Sequence, residues 1–218
     1  MTSEAVLEVK PFASDTLVIC FGGNGIPLPP GVFELRRPLE QHPVHKIFLK
    51  DLNRAFFLKG IPGISRNVPE TRSFLAGYLE KGRYRNVITM GLSAGSHAAI
   101  MFGIMLNADR VIGIGARTQI TGPLTLSYPQ IAELRARGEF DAQYDDLAEF
   151  LSRAQNLTTE VHLFFSTDDD VDVAHARQLE GFSNVTLHGA PLGGHGMAIM
   201  NMFPGGKLDP HISDLIAR

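Results

Sequence analysis

One cysteine, Cys20, stands in 218 residues. That rules out an internal disulfide framework and fits a reducing compartment. No apolar run approaches the ~20 residues needed to span a bilayer. Hydrophobic residues still make up 44% of the chain, ample for a sizeable core. The stretch MTSEAVLEVKPF has neither a basic region nor an apolar one, so it is not read as a secretion signal. The formal net charge is −3, with no basic cluster or stripe. This argues against nucleic acid or a membrane surface as a main partner. Internal repeats and low-complexity tracts are absent. The expectation is a soluble, cytoplasmic protein forming a single domain over residues 1–218.

What is present is a series of apolar runs of strand length. They cover Ala5–Val9, Thr16–Phe21, Lys46–Leu49, Val87–Met90, Val111–Ile114, Val161–Phe165 and Val185–His188. The longer ones are apolar throughout, as strands buried on both faces are. Helical patterns lie between them, over Pro69–Lys81 closed by Gly82, Ala94 to about Leu106, Pro129–Arg137, Tyr144–Ala154, and Asp172–Glu180 ended by Gly181. This alternation predicts an α/β domain, its mainly parallel sheet of about six to seven strands covered by helices on both faces. Residues 118–155 hold two helices and are expected to form a small helical cap over the sheet.

At Gly91-Leu92-Ser93-Ala94-Gly95 a β-branched strand gives way to an Ala-rich helix. G-x-S-x-G between strand and helix is the signature of a nucleophile elbow. A sharp turn there strains the serine backbone and leaves no room for side chains at Gly91 and Gly95. The new helix points its N-terminus at the serine, where unpaired N–H groups favour developing negative charge. By itself, the same pattern also suits a Gly-Ser turn that ends a strand.

In open parallel sheets, ligands bind beyond the carboxyl ends of the strands. Three of those ends carry suitable chemistry. Ser93 follows the fourth run. The acids Asp168, Asp169, Asp170 and Asp172 follow the sixth, and Gly193-Gly194-His195-Gly196 follows the seventh. The roles divide as nucleophile, base and orienting acid. Ser93 attacks a carbonyl, His195 takes its proton, and an acid holds the imidazole. For that acid Asp172 is favoured, then Asp168, then Asp170, although Asp172 also suits a helix N-cap. The developing oxyanion needs two N–H donors, for which Ala94 and Gly23 are expected. Neither G-x-G-x-x-G nor G-x-x-x-x-G-K-[ST] occurs, so Gly22-Gly23-Asn24-Gly25 is not read as a phosphate loop. No metal-ligand spacing such as H-E-x-x-H is present, and neither metal nor cofactor is expected.

Other candidates have plainer readings. His162 and His188 lie on strands, as core or surface residues. His97 is one turn along the elbow helix, where it packs or meets solvent, and His175 is on the helix after the acids. Cys20, inside a strand, reads as an inert core thiol. Met197, Met200 and Met202 read as core, with an acyl pocket lining as the alternative. Asp51, Asn53 and Arg54 read as salt-bridged loop residues, with a polar substrate group as the alternative.

From Asp15 onward the chain resembles a small bacterial α/β-hydrolase. FGGNG, GLSAG, the DxxHA segment from Asp172 to Ala176, and GGHG carry the resemblance. Ser, acid, His is also that fold's chain order. The resemblance implies a Ser-His-acid site for ester or thioester substrates. Phe21 stands where many esterases of the fold have the first residue of HGGG, which leaves the second oxyanion donor open. The expected function is a serine hydrolase acting on a small-molecule acyl substrate. The rivals are an acyltransferase with the same triad and a non-catalytic binding module on the same fold.

Overall fold

Seven strands hydrogen-bond into one sheet in the computed structural model, which describes residues 4–10, 13–25, 28–124, 128–154 and 157–218. In chain order they are β1 (Val6–Val9), β2 (Thr16–Phe21), β3 (His45–Leu49), β4 (Asn86–Leu92), β5 (Arg110–Ile114), β6 (Glu160–Ser166) and β7 (Val185–Ala190). Their spatial order is β1-β3-β2-β4-β5-β6-β7. Only β1 runs antiparallel; every other pairing is parallel.

The apolar runs are explained by two cores. Leu17, Ile19 and Phe21 of β2 enter one cluster, and Val18 and Cys20 enter the other, so each face of the strand is covered. Each fully buried aliphatic or aromatic side chain contributes about 1.5–3 kcal/mol. The first face holds α1 (Val68–Gly82), α2 (Ala94–Met105), α3 (Pro129–Ala136) and α4 (Leu147–Arg153). The second is covered by α7 (Pro210–Ala217) through Ile212, Leu215 and Ile216. Between them in sequence come α5 (Asp170–Gln178) and α6 (His195–Asn201). No helix among the described residues is long and apolar enough to cross a membrane.

The helix α2 is buried from Ala94 to Ile104. A helix apolar all round belongs inside a protein, and this one lies against β4 and β5. A Cβ on Gly103 would come within 2.5 Å of Val111 Cγ2.

Several boundaries differ from the sequence expectation. Arg83, not Gly82, takes the left-handed position that ends α1, with φ 51°. The segment expected as one helix over Tyr144–Ala154 divides into a 3-10 turn at Ala142–Tyr144 and α4, because Asp146 caps the N–H groups of Ala148 and Glu149. Residues 125–127 and 155 of the expected cap lie outside the described residues. Neither α6 nor α7 was anticipated. The methionine run does not all enter the core: Met202 is buried, but Met197 and Met200 are 53% and 67% exposed. Ala198 on α6 and Met202 just past its end face inward, one helical turn apart, so Met197 and Met200 turn outward.

Candidate active site

Ser93 sits between β4 and α2 with φ 51° and ψ −117°. Such a backbone costs on the order of 1–3 kcal/mol and persists only where its surroundings enforce it. Close packing does so here. A Cβ on Gly91 would lie 2.2 Å from Gly95 O, and one on Gly95 would lie 2.3 Å from Phe21 O. Ser93 N donates to Ile114 O at 2.8 Å, tying the turn to β5. Ser96, fully buried one turn later, has Oγ 2.7 Å from Gly91 O and accepts from Ile114 N at 3.0 Å. Sequence reasoning did not single it out.

His195 opens α6, and its ring lies between two partners. Nε2 is 2.9 Å from Ser93 Oγ, and Nδ1 is 2.7 Å from Asp172 Oδ1. A neutral ring protonated on Nδ1 donates to Asp172 and leaves Nε2 to accept the serine proton. Gly115 makes room for the ring: a Cβ there would fall 2.8 Å from His195 Cε1.

The four acids divide the work. Asp172, 1% exposed, faces the imidazole. Asp168 instead accepts from Gly193 N at 3.0 Å, holding the loop before His195. Asp169 caps α5 through the N–H groups of Val171 and Asp172 and also accepts from His195 N at 2.9 Å. Burial works against its charge, but those N–H groups and the nearby Arg117 and His195 hold its pKa below the usual carboxylate range. Asp170, exposed, is the first residue of α5. The structure thus brings Ser93, His195 and Asp172 together and leaves Asp168 and Asp170 off the imidazole.

Arg117 escaped sequence reasoning. Its Nη1 donates to the same Asp172 Oδ1 at 3.0 Å, and both side chains are buried. His97 fixes the backbone there: its Nδ1 is 2.8 Å from Arg117 O and its Nε2 is 2.8 Å from Tyr144 O. Burial pushes the His97 pKa down. His175 is buried beside Thr118, its pKa lowered to about 4 by burial and then by the charge of Arg117. His162 and His188 stack on each other away from Ser93.

Of the two expected oxyanion donors, Ala94 is the first residue of α2, so its N–H has no partner within the helix. Gly23 lies against the turn, where a Cβ would be 3.0 Å from Leu92 O and 3.7 Å from Ser93 Cβ. Its N–H, however, donates to Glu34 Oε2 at 2.7 Å. A cavity of about 250 Å³ opens beside it, lined by Gly23 and Glu34 and floored by Cys20, Phe33 and Phe48. Burial pushes the Cys20 thiol pKa far up, which suits a core thiol.

Asp51 and Arg54 are not salt-bridged as expected. Asp51 accepts from Asn53, Ala55 and Phe57 N–H groups, ordering a loop in which Arg54, Phe56 and Phe57 have positive φ. Arg54 donates to Asn24 O at 2.8 Å and so clamps the glycine loop.

No protein-family model matches the chain, and no curated protein sequence matches it. Solved structures do. The capsule O-acetyltransferase of Neisseria meningitidis serogroup A superposes with a TM-score of 0.71 at 13% identity, covering 98% of this chain and 90% of that one. A fluorophosphonate-binding serine hydrolase of Staphylococcus aureus gives 0.63 at 13% identity, covering 96% and 84%. An α/β-hydrolase from a lagoon-sediment metagenome gives 0.57 at 17% identity, covering 97% and 92%. With the parallel sheet and its sequence of strand, serine and helix, these likenesses define the class: the chain has the α/β-hydrolase fold. At such identities they establish the fold and leave the reaction to be argued from the site.

Proposed function

We propose that the protein is a serine hydrolase that cleaves a carboxylic ester or thioester of a small molecule through an acyl-enzyme. The observation that carries this reading is His195, hydrogen-bonded at once to Ser93 Oγ and to Asp172. Ser93 Oγ attacks the carbonyl carbon while its proton passes to His195 Nε2. Asp172 keeps the ring in the required tautomer and stabilises the imidazolium. The carbonyl oxygen becomes an oxyanion held by the N–H groups of Ala94 and Gly23. As the bond to the leaving alcohol or thiol breaks, that group takes the proton from His195. Water then attacks the acyl-Ser93 carbonyl by the same route in reverse. Side chains and water supply every group the scheme uses, so it calls for no cofactor. In this reading the chain acts as one catalytic domain in the cytoplasm, and residues 118–155 serve as its cap.

The test is intact-mass detection of fluorophosphonate labelling, together with turnover of short and long acyl esters and thioesters. One adduct that is lost in both Ser93→Ala and His195→Ala supports the mechanism. Turnover retained in Ser93→Ala would sink it. A folded protein whose serine stays inert to small and large probes alike would support a binding module instead. The likeness to a capsule O-acetyltransferase favours one second reading, in which an alcohol acceptor rather than water takes the acyl group. Formation of a new ester when a sugar alcohol is added separates the two.

A further inference from the structure

The second oxyanion donor is already engaged. Gly23 has one N–H, and Glu34 Oε2 accepts it at 2.7 Å. While that bond stands, a substrate carbonyl oxygen cannot take the same hydrogen, and a carboxylate beside it repels a developing oxyanion. The contact is built rather than incidental. Phe33 and Leu35, on either side, are 6% and 2% exposed in the second core, which fixes the backbone of Glu34. A Cβ on Gly22 would lie 3.0 Å from Glu34 Oε2, so the glycine pair also leaves room for the carboxylate.

Glu34 also lines the cavity of about 250 Å³, and Ser93 and His195 do not. Gly23 lines the cavity too and lies against the Ser93 turn, so the carboxylate on its N–H stands beside that turn. The apolar floor of Cys20, Phe33 and Phe48 suits a short acyl chain. Lys50, on the same lining, donates to Pro29 O and lies 4.8 Å from the Phe33 ring centre. Burial pushes the Glu34 carboxyl pKa upward, against the pull of Gly23 N–H and Lys50.

On the reading that Ser93 is an acyl-transferring nucleophile, we infer that this cavity is the acyl pocket and that Glu34 is its gate. The carboxylate occupies the Gly23 N–H until substrate displaces it, and it admits uncharged acyl groups while rejecting anionic ones. Glu34 thus sets acyl specificity by charge. Its exit joins the pocket to Ser93 and frees the second donor in one movement.

The experiment compares kcat/KM of the full chain and its Glu34→Ala and Glu34→Gln variants on a butyrate ester and a hemisuccinate ester of one alcohol. Fluorophosphonate labelling and Ser93→Ala run alongside. Freeing an N–H from a charged acceptor should raise kcat/KM on the butyrate about tenfold or more in Glu34→Ala. The gain on the hemisuccinate should be larger still, because one of the carboxylates that line the cavity beside Lys50 and Arg54 is then gone. Glu34→Gln keeps a neutral acceptor and should fall between. Equal or lower activity on both esters, or an unchanged ratio between them, with Ser93-dependent labelling intact, overturns the proposal. If Glu34→Ala does not fold, the isosteric Glu34→Gln decides by the same two criteria. Turnover that survives Ser93→Ala instead removes the hydrolase reading on which the proposal rests, whatever the Glu34 variants do.

Discussion

Arg117 donates to Asp172 through a buried ion pair, 3.0 Å from Nη1 to Oδ1, with 6% and 0% of the two side chains exposed. A carboxylate taken out of water must be compensated, and His195 alone supplies one hydrogen bond. Removing one member of a buried pair strands the other's charge and typically costs about 3–5 kcal/mol. Arg117→Ala is therefore expected to lower stability by about that amount. Arg117→Lys, which keeps the charge without the planar fork, should lose less. Urea unfolding of the three proteins measures both. A near-neutral Arg117→Ala would mean that Asp172 is not held by this pair.

The acids separate by what each touches. Asp172 reaches His195 Nδ1, and Asp168 reaches only the Gly193 N–H. Under the proposed mechanism Asp172→Asn loses the tautomer control, and kcat should fall by about 10⁴. Asp168→Asn keeps an oxygen able to accept from Gly193, so its kcat should fall by less than about tenfold. Steady-state kinetics on one activated ester compares them. Equal losses would show that the imidazole is not oriented by Asp172 alone.

How much of this was legible in the sequence depended on distance along the chain. The parallel sheet was visible because strands buried on both faces are apolar throughout, as in Thr16–Phe21. The Ser93 turn was visible because its steric demand falls on Gly91 and Gly95, two residues away on either side. Asp172 was harder to separate from Asp168. Both follow β6, and only the helical start of α5 turns one of them inward. Arg117 and Glu34 left no local mark, since their partners lie 55 and 11 residues away and a lone charge reads as solvated. The helix α6 was hidden by three glycines and a cap without a side chain; Asp169 steadies its first N–H from across the sheet edge. The helix α7 did carry a signal, Asp209 before Pro210 as N-cap and first turn, which the apolar run before it obscured.

The glycines of the Ser93 turn and a glycine elsewhere should answer oppositely to the same substitution. A Cβ on Gly91 or Gly95 meets backbone at 2.2 Å or 2.3 Å, which no side-chain adjustment relieves. Gly91→Ala and Gly95→Ala should each destabilise by at least about 1–3 kcal/mol, the usual cost of overpacking. Gly77 lies inside α1 with nothing within 4 Å of its added Cβ. Gly77→Ala should stabilise by about 0.5–1 kcal/mol. Thermal unfolding of the three variants tests the pattern, and a destabilised Gly77→Ala would contradict the packing described for α1.

Acid should weaken the far edge of the sheet. The His188 ring stacks 4.4 Å from Phe164, lies 3.1 Å from His162 Nδ1 through Nε2, and meets the His211 ring edge-on at 4.5 Å. Its pKa falls to about 4, first through burial and then through the charges of His211 and His162. Burial also lowers the His162 pKa, although Glu160 draws it upward and Arg110 downward. The sign follows from proton counting. In the unfolded chain a histidine binds its proton near pH 6.5, so between that value and about 4 the unfolded state holds more protons. Stability therefore rises with pH across this window and is lost as pH falls through it. The contact of β6 and β7 with α7 should loosen first, since His211 belongs to that helix. Replacing His188 by Phe keeps a ring against Phe164 without a titrating group and should flatten the pH dependence of unfolding between about 6.5 and 4. Urea midpoints taken across that range for both proteins decide it. An unchanged slope in His188→Phe would assign the acid sensitivity to other groups, first the buried His175 and His97, whose pKa values burial also lowers.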